Sequence, residues 1–141
     1  MIIAIFKRGK KKLYINLSPY NVQPKRVERE FKLIAYYKEN HKKREEVGDL
    51  EYTLTLKDGF IKEIHVDNMD VSEHLQKKGY GKILMGFCQG IAQASDLRIT
   101  LFSLGDVVGF YRRCGFHPEC KDSQDMVWYP KKRKKNAKKR F

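Results

Sequence analysis

Few cysteines, no long apolar run and no acid at either end are the first features of this 141-residue sequence. The three cysteines, at positions 88, 114 and 120, are an odd number without framework spacing, which excludes a disulfide scaffold and favours reduced thiols. No apolar run approaches a membrane span, and residues 1–6 are too short for the core of a signal peptide. We therefore expect an intracellular protein with no membrane contact, cytoplasmic or, in a eukaryotic or viral setting, nuclear.

The sequence also lacks a convincing metal-binding pattern. Cys114, His117 and Cys120 lie close together and superficially suggest a metal site. A structural zinc site needs a fourth ligand at a suitable spacing, and none follows. We therefore expect no metal.

The absence of acids at the two ends concentrates the net charge of +13 there. Residues 1–12 carry five Lys or Arg side chains and residues 131–141 carry eight, whereas the cations and acids between them balance. Runs of like charge repel one another and commonly bind polyanions or serve as targeting signals. The basic ends therefore suggest nucleic acid as a possible partner, with a targeting address or a merely solubilising tail as the alternatives.

Length and composition predict one domain with a genuine core. The chain is long enough for a single core and too short for two, and its 41% hydrophobic content is typical of globular proteins. We expect one domain over residues 1–130, followed by a basic C-terminal tail over residues 131–141.

A glycine-containing loop precedes the strongest helical pattern of the chain. Gly79 and Gly81 come just before the helix-compatible run 83–94, and glycines at that place let backbone N–H groups approach a phosphate. A P-loop is excluded, because Gln76 stands where its first glycine is required and Ile83 where its hydroxyl residue is required. A dinucleotide-binding loop is excluded as well, since it needs a third glycine three residues after Gly81. On this motif alone, a phosphate site and an ordinary helix-capping loop remain open.

The hydrophobic pattern predicts a β-meander followed by a helix, a strand, a second helix and a last strand. We expect strands at residues 1–6, 13–17, 29–38, 50–55 and 60–66, with irregular segments at 18–24, 39–46 and 67–75. We then expect a central helix at 81–94, a strand at 97–102, a helix at 107–114 capped by Asp106, and a strand at 126–129. This order predicts an α+β fold with a parallel connection around the central helix.

Residues 59–116 resemble the acetyl-CoA-binding half of the GNAT superfamily N-acetyltransferases. The glycine loop is similar to the family's pyrophosphate loop, and Phe110, Tyr111, Gly115 and Phe116 stand at the spacing of its Phe-Tyr-x-x-x-Gly-Phe closing motif. The two motifs follow in the family's order, with a predicted helix and strand between them. The resemblance implies a GNAT-like mixed, mostly antiparallel sheet with a central helix and a closing helix.

Other positions refine the resemblance or depart from it. Gln76 in place of arginine, together with Glu63 and Ile64 on the preceding strand, hints at the histone acetyltransferase branch. Leu104 stands where the family often has asparagine. Residues 7–28 leave little room for the two helices that usually follow the first strand, so we expect a reduced N-terminal helical region. Such a reduction would open the acceptor groove and favour a macromolecular amine.

The resemblance implies acetyl-CoA as co-substrate and a primary amine as acceptor, which we expect on a protein. An ammonium group must lose a proton before it reacts, so the family's base position makes Glu63 the candidate general base. His65, on the same strand face, is the substitute, and Tyr111 is the candidate proton donor to the departing thiolate. The residues expected to bind the coenzyme are Ile64, His65, Val66, Gln76, Lys77, Lys78, Gly79, Tyr80, Gly81 and Lys82.

Three functions stay open at the level of the sequence. The first is acetyl-CoA-dependent N-acetyl transfer to a protein amine. The second is a GNAT-fold binding module without turnover that contacts nucleic acid through its basic termini. The third is acetylation of an amine carried on RNA. The sequence specifies neither the acceptor nor the oligomeric state.

Overall fold

The computed structural model describes residues 1–19, 29–39, 43–72, 76 and 78–132. In this part of the chain, an eight-stranded mixed sheet has the order β1-β2-β3-β4-β5-β6-β8-β7. The strands are β1 (Ile2–Arg8), β2 (Lys11–Pro19), β3 (Arg29–Lys38), β4 (Glu45–Lys57), β5 (Phe60–Val71), β6 (Arg98–Phe102), β7 (His117–Pro118) and β8 (Asp125–Trp128). The helices are α1 (Tyr80–Ser95) and α2 (Val108–Arg113), and a 3-10 turn (Gly105–Val107) leads into α2.

The first five strands form the predicted antiparallel meander. Asp58 and Gly59, between β4 and β5, both have positive φ, at 52° and 82°. Two consecutive left-handed residues match the right-handed twist of a hairpin, which is why an Asp-Gly pair is favoured there. The predicted turn is therefore confirmed.

The core lies between the sheet and α1. Alternate strand residues point toward the helix, and its inward face carries Leu84, Met85 and Cys88, all fully buried. Burying one large aliphatic side chain stabilises the fold by roughly 1.5–3 kcal/mol. The fully buried strand residues of this core are Leu13, Ile15, Leu33, Ala35, Val47, Leu50, Ile64 and Ile99.

The expected parallel connection joins β5, α1 and β6. Glu63 pairs with Arg98 at the beginning of the β5–β6 ladder, and Val66 pairs with Leu101 at its end. Beyond that point β5 continues beside β4 alone, while β6 remains paired with β8. The two central strands therefore separate after Val66, and a cleft opens between them.

The prediction that residues 67–75 are irregular is wrong for their first part. β5 continues to Val71, and a register shift after Val66 makes Asp67 an extra residue opposite β4, which is a β-bulge. The polar residues of this stretch resemble a loop in sequence. These polar residues nevertheless form a strand, because β5 remains paired with β4 there. The edge of β5 that earlier pairs with β6 faces the cleft in this stretch. Residues 73–75 lie outside the described part of the chain.

Two other predicted boundaries also move. β4 begins at Glu45, inside the predicted irregular segment 39–46, and β2 includes Ser18 and Pro19 of the segment 18–24. Proline at the end of a strand costs no ladder hydrogen bond in its interior, so Pro19 is tolerated. Residues 20–24 and 40–42 are outside the described residues.

The closing helix is shorter than expected and starts differently. Leu104, in an extended conformation, precedes the 3-10 turn, and no side chain of the described residues caps that turn or α2, so the prediction of Asp106 as N-cap is wrong. Asp106 lies inside the turn. Gly115 follows α2 with φ of 95°, as its predicted position requires, and its N–H donates to the Arg112 carbonyl at 3.0 Å. The two-residue strand β7 was not predicted.

The reduced N-terminal helical region is expected within residues 7–28, of which residues 20–28 lie outside the described part of the chain. β1 and β2 are joined directly at Gly9 and Lys10, and no helix precedes α1 in the residues that the structure describes. Neither described helix is long and apolar enough to cross a membrane. After β8 the chain stays bound to α1, because Gln93 exchanges two hydrogen bonds with the Lys131 backbone, at 2.8 and 2.9 Å. Residues 133–141 of the predicted tail lie outside the described part.

Candidate active site

A cleft of about 740 Å³ opens where β5 and β6 separate. The end of β5, the glycine loop, the start of α1, the end of β6 and α2 form its walls. Its lining residues are Val66, Asp67, Asn68, Met69, Val71, Gln76, Gly79, Tyr80, Gly81, Lys82, Leu101, Phe102, Leu104, Val107, Phe110, Tyr111 and Arg113. Six of the ten predicted coenzyme residues are therefore at the cleft, namely Val66, Gln76, Gly79, Tyr80, Gly81 and Lys82.

The two glycines of the loop serve different structural purposes. Gly79 precedes α1 with φ of 90°, a left-handed conformation that costs other residues roughly 1–2 kcal/mol. A Cβ on Gly81 would lie 3.3 Å from Cζ of Phe110, so this glycine allows α2 to approach α1 closely. The sequence predicts that both glycines let the backbone approach a phosphate. The structure gives Gly81 a packing reason in addition.

The beginning of α1 offers unsatisfied donors to the cleft. Among the residues that the structure describes, no side chain caps this helix end, and no acid occupies its first turn. The first backbone N–H groups therefore keep their hydrogen-bonding capacity and the positive end of the helix dipole. Gln76 supports the loop by donating to the Val71 carbonyl at 3.2 Å. Lys82 and Arg113 add positive charge to the cleft wall. The arrangement fits a phosphate-bearing ligand.

Tyr80 anchors the loop to the sheet. Its side chain is buried, and its hydroxyl lies 2.6 Å from the hydroxyl of Tyr37 on β3. Burial and this hydrogen bond raise the pKa of Tyr80 above its ordinary value. The Lys11 ammonium lies 5.8 Å from the centre of the Tyr37 ring, within range of a cation–π contact. The sequence identified Tyr80 as a coenzyme residue but did not reveal its partner on β3.

Tyr111 lies in the cleft wall. Its ring packs edge-on against Phe110 and Phe116, with ring centres 5.3 and 5.9 Å apart. Burial, and to a smaller extent Cys114, raise the pKa of Tyr111 above its ordinary value of 10. The phenol is therefore protonated at neutral pH, as a proton donor must be.

Glu63 is not at the cleft, contrary to its expected location. Its Oε1 accepts from Nε and Nη2 of Arg98, at 2.9 and 2.7 Å, and its Oε2 accepts from Thr100 Oγ1 at 2.9 Å. The reason is register: Glu63 pairs with Arg98 where the parallel ladder begins, and the cleft opens three residues later, about 10 Å along the strand.

The lowered pKa of the Glu63 carboxyl and its hydrogen bonds also disfavour a role as general base. Burial alone would raise the pKa of its carboxyl, but the hydrogen bonds from Arg98 and Thr100 and the Arg98 charge outweigh burial and lower it. A carboxylate with a lowered pKa and both oxygens bound is a poor proton acceptor.

His65 is on the same face of β5 as Glu63, as strand alternation predicted. Its Nδ1 lies 2.8 Å from Thr100 Oγ1 on β6. His65 immediately precedes Val66, the first β5 residue of the cleft wall, but does not itself line the cleft. It is therefore one residue from the cleft, whereas Glu63 is three.

Asp67 is a functional candidate that the sequence did not reveal. It is the one carboxylate among the described residues that line the cleft, and its Oδ2 accepts a hydrogen bond from Thr53 Oγ1 at 2.5 Å. It occupies the bulge, in the segment predicted to be irregular, and only knowledge of the bulge would have singled it out. Asp67 and the cations Lys82 and Arg113 give the cleft charges of both signs.

The remaining predicted site residues lie elsewhere. Ile64 is fully buried in the core, is paired with both β4 and β6, and does not line the cleft. Lys78 is exposed and does not line the cleft, and Lys77 is outside the described residues. Among the described residues, no group of three or more His, Cys, Asp or Glu side chains is placed to hold a metal ion.

Comparison with known protein families identifies the family to which this chain belongs. A sequence profile described as an acetyltransferase (GNAT) domain matches residues 31–118, which is more than half of the chain. The chain belongs to the GNAT acetyltransferase family. This agrees with the resemblance carried by the glycine loop and the closing motif.

Individual relatives match over shorter segments. Proteins from Porphyra purpurea and Pyropia yezoensis, both named uncharacterized N-acetyltransferase ycf52, are each 39% identical over 57 residues. That segment is 40% of this chain and 33% of each relative, so the chain matches about a third of the length of these curated relatives.

Solved structures share the fold at low sequence identity. The structure of AtaTR bound with AcCoA superposes with a TM-score of 0.56 at 15% identity, covering 73% of this chain and 68% of the other. Escherichia coli ElaA gives a TM-score of 0.50 at 18% identity, covering 71% of this chain and 67% of its own. At these identities the likeness shows the fold alone, a mixed, mostly antiparallel α+β sheet of the GNAT type.

Proposed function

We propose that this chain transfers the acetyl group of acetyl-CoA to a primary amine on a protein or another macromolecule. The observation that carries the proposal is the cleft itself, which has the glycine loop in one wall and Tyr111 in another. Its volume lies within the roughly 300–1,000 Å³ of small-molecule sites.

The residues present fit the coenzyme. The free N–H groups at the start of α1, with Lys82 and Arg113, are suited to its phosphates. Beyond Val66 the backbone of β5 has lost its β6 partner, which leaves ladder groups available to the amide groups of the pantetheine arm. When bound, acetyl-CoA supplies an activated acetyl thioester.

The reaction then requires proton movements at two places. The acceptor ammonium must become a neutral amine, and the departing sulfur must receive a proton. Tyr111, protonated and in the cleft wall, is suited to the second task. Asp67 is placed to attract the positively charged acceptor to the same cleft.

Calorimetry with acetyl-CoA tests the proposal, and the chain offers a matched pair of variants. Gly79→Ala and Gly59→Ala both place a side chain at a left-handed residue with open space around it, but only Gly79 lies at the cleft. We expect saturable binding by the wild type. Strain of about 1–2 kcal/mol at residue 79 should weaken binding about tenfold, whereas Gly59→Ala should bind as the wild type does.

Absence of wild-type binding at about 1 mM acetyl-CoA, where a site of −4 kcal/mol would be half filled, would refute the enzyme proposal. Equal weakening by both variants would place the effect on the whole fold and not on the cleft. An acceptor panel of lysine peptides, protein N-termini and aminoacyl-RNA would then separate a protein amine from an amine carried on RNA.

A second candidate function is nucleic-acid binding through the basic termini, and the β1–β2 hairpin favours it. Five exposed cations occur in residues 7–12 of this hairpin, and none has an acidic partner in the described ranges. They are Lys7, Arg8, Lys10, Lys11 and Lys12. Cations without an acidic partner on an exposed β-ribbon are suited to contact phosphates, and each contact adds to the salt dependence of binding.

Two variants test this second function. Lys10→Gln/Lys12→Gln and a chain truncated after residue 130 should each weaken binding to a generic duplex and reduce its salt slope, the truncation more. The control is Lys57→Gln/Lys62→Gln, which removes two cations near the opposite end of the meander. Binding that both test variants leave unchanged would refute the contribution of the basic ends.

A further inference from the structure

Four polar side chains form a continuous chain of hydrogen bonds across β5 and β6, on the sheet face opposite α1. Arg98 donates twice to Glu63, Thr100 donates to the other Glu63 oxygen, and His65 Nδ1 lies 2.8 Å from Thr100 Oγ1. The parallel register produces this arrangement, because Glu63 is opposite Arg98 and His65 is opposite Thr100.

The number of available protons fixes the direction of each hydrogen bond. Arginine can only donate and an ionised carboxylate can only accept, so Glu63 accepts from both of its neighbours. The Thr100 hydroxyl has a single proton, which is used toward Glu63. Thr100 Oγ1 can therefore only accept from His65, and the bonding proton of that pair must be on His65 Nδ1.

We propose that the Arg98–Glu63–Thr100 chain holds neutral His65 as the Nδ1–H tautomer, so that His65 Nε2 is the proton acceptor for the amine substrate. Glu63, Thr100 and Arg98 are then positioning residues. The acceptor role rests on the proposed function, whereas the tautomer does not. His65 Nε2 has no hydrogen-bond partner in the described part of the chain, and the side chain is partly exposed, one residue before the cleft wall.

In the proposed transfer, one proton leaves the acceptor ammonium and one leaves Tyr111. His65 Nε2 takes a proton from the acceptor ammonium, and the neutral amine forms the new C–N bond as the C–S bond breaks. Tyr111 donates its hydroxyl proton to the departing sulfur. The new amide nitrogen releases one proton, which restores Tyr111 through solvent, and the imidazolium later returns its own proton to solvent.

In this arrangement His65 keeps its hydrogen bond to Thr100 when it takes up a proton. The imidazolium still donates from Nδ1 to Thr100, so proton uptake at Nε2 changes no hydrogen bond in the chain. All four residues lie on paired strands, which hold catalytic geometry more firmly than loops do.

Nuclear magnetic resonance of the ¹⁵N-labelled full chain tests the inference. Long-range ¹H–¹⁵N correlation near pH 8 reports which ring nitrogen carries the proton, and a His65→Gln sample assigns the signal among the four histidines. We expect the Nδ1–H tautomer for His65. An Nε2–H tautomer in the wild type would overturn the proposal.

Glu63→Gln should reverse the direction of the hydrogen bonds that Thr100 makes with residue 63 and with His65. Arg98 can only donate, so the amide oxygen of the new side chain must face Arg98 and its NH₂ must face Thr100. Thr100 then donates to His65 Nδ1, and His65 should switch to Nε2–H. Thr100→Val should remove the preference for Nδ1–H. Thr55→Val changes the β4 residue opposite Glu63, outside this chain, and should leave His65 unchanged.

These outcomes are separate from those of the proposed function. The tautomer is measured without coenzyme or acceptor, so an Nδ1–H His65 in a protein that fails to bind acetyl-CoA refutes the enzyme and leaves the positioning chain intact. A Glu63→Gln sample that retains Nδ1–H contradicts the positioning chain whatever the protein binds. The wild-type measurement decides the matter alone if a variant does not fold.

Discussion

The hydroxyl groups of Tyr37 on β3 and Tyr80 in the glycine loop lie 2.6 Å apart, with their rings edge-on at 81°. The two residues are 43 positions apart in sequence, so the loop that faces the cleft is fixed to the middle of the meander. Because Tyr80 stands between Gly79 and Gly81, this contact limits the freedom that two glycines would otherwise give the loop.

Tyr37→Phe should therefore weaken both the fold and the coenzyme site. It removes one hydroxyl and leaves that of Tyr80 without its partner, at a cost of about 1–3 kcal/mol. We expect a lower free energy of unfolding in denaturant titration and weaker acetyl-CoA binding in calorimetry. The control is Tyr14→Phe, since Tyr14 stacks on Tyr36 and is not part of this hydroxyl pair. Unchanged coenzyme affinity in Tyr37→Phe would contradict the anchoring role.

Tyr111→Phe should lower turnover while coenzyme affinity stays the same. The phenol donates a proton only as the sulfur departs, and loss of such a donor commonly costs about 10²-fold or more in rate. The packing against Phe110 and Phe116 uses the ring, which phenylalanine keeps. Steady-state kinetics with an acceptor from the panel and calorimetry with acetyl-CoA measure the two quantities. An unchanged kcat would remove Tyr111 from the chemistry.

Asp67→Asn should weaken acceptor binding without affecting the coenzyme. A charge-assisted hydrogen bond contributes about 1.5–3 kcal/mol, so we expect the acceptor KM to rise about tenfold or more. Thr53→Val should show a smaller effect of the same kind, because it removes the donor that orients the carboxylate. Asp70→Asn is the control, since Asp70 is on the same strand and does not line the cleft. If Asp70→Asn raises KM equally, the effect comes from general charge.

Glu63 should make the fold sensitive to acid. Its pKa is lowered in the folded state, so the carboxylate contributes stability that is complete above its usual pKa of 4.5 and is lost as the pH falls through the lowered value. Glu63→Gln should be less stable than the wild type at pH 7, and the difference should shrink below about pH 4.5. Denaturant unfolding at several pH values measures this. Thr55→Val, which removes no titrating group, should keep the wild-type pH dependence, and a constant gap for Glu63→Gln would contradict the prediction.

The sequence predicted the fold through local patterns that the packing obeys. Alternation in β3, the Asp58–Gly59 turn and the apolar stripe of α1 each reflect one buried face, and that face survives in the structure. The second half of β5 was missed because a strand beside a cleft has no apolar partner on one side and so carries polar residues.

The site was predicted less completely than the fold. Motif spacing identified the glycine loop and Tyr111, because the loop needs glycine and the closing segment needs its aromatic pair. It could not show that register pairs Glu63 with Arg98, nor that a bulge brings Asp67 to the cleft. Both depend on how β5 is aligned with its neighbours, and a single strand's sequence does not contain its alignment.

The basic hairpin has a further consequence, which concerns self-association. In the described part of the chain, β1 ends the sheet and has β2 as its one neighbour, so its outer backbone groups are open to another strand. Charged side chains are a common protection of such an edge, and Lys7 and Arg8 stand on this one. Neutralising these cations would expose the edge as well as remove phosphate contacts. Light scattering should therefore accompany every binding measurement on hairpin variants.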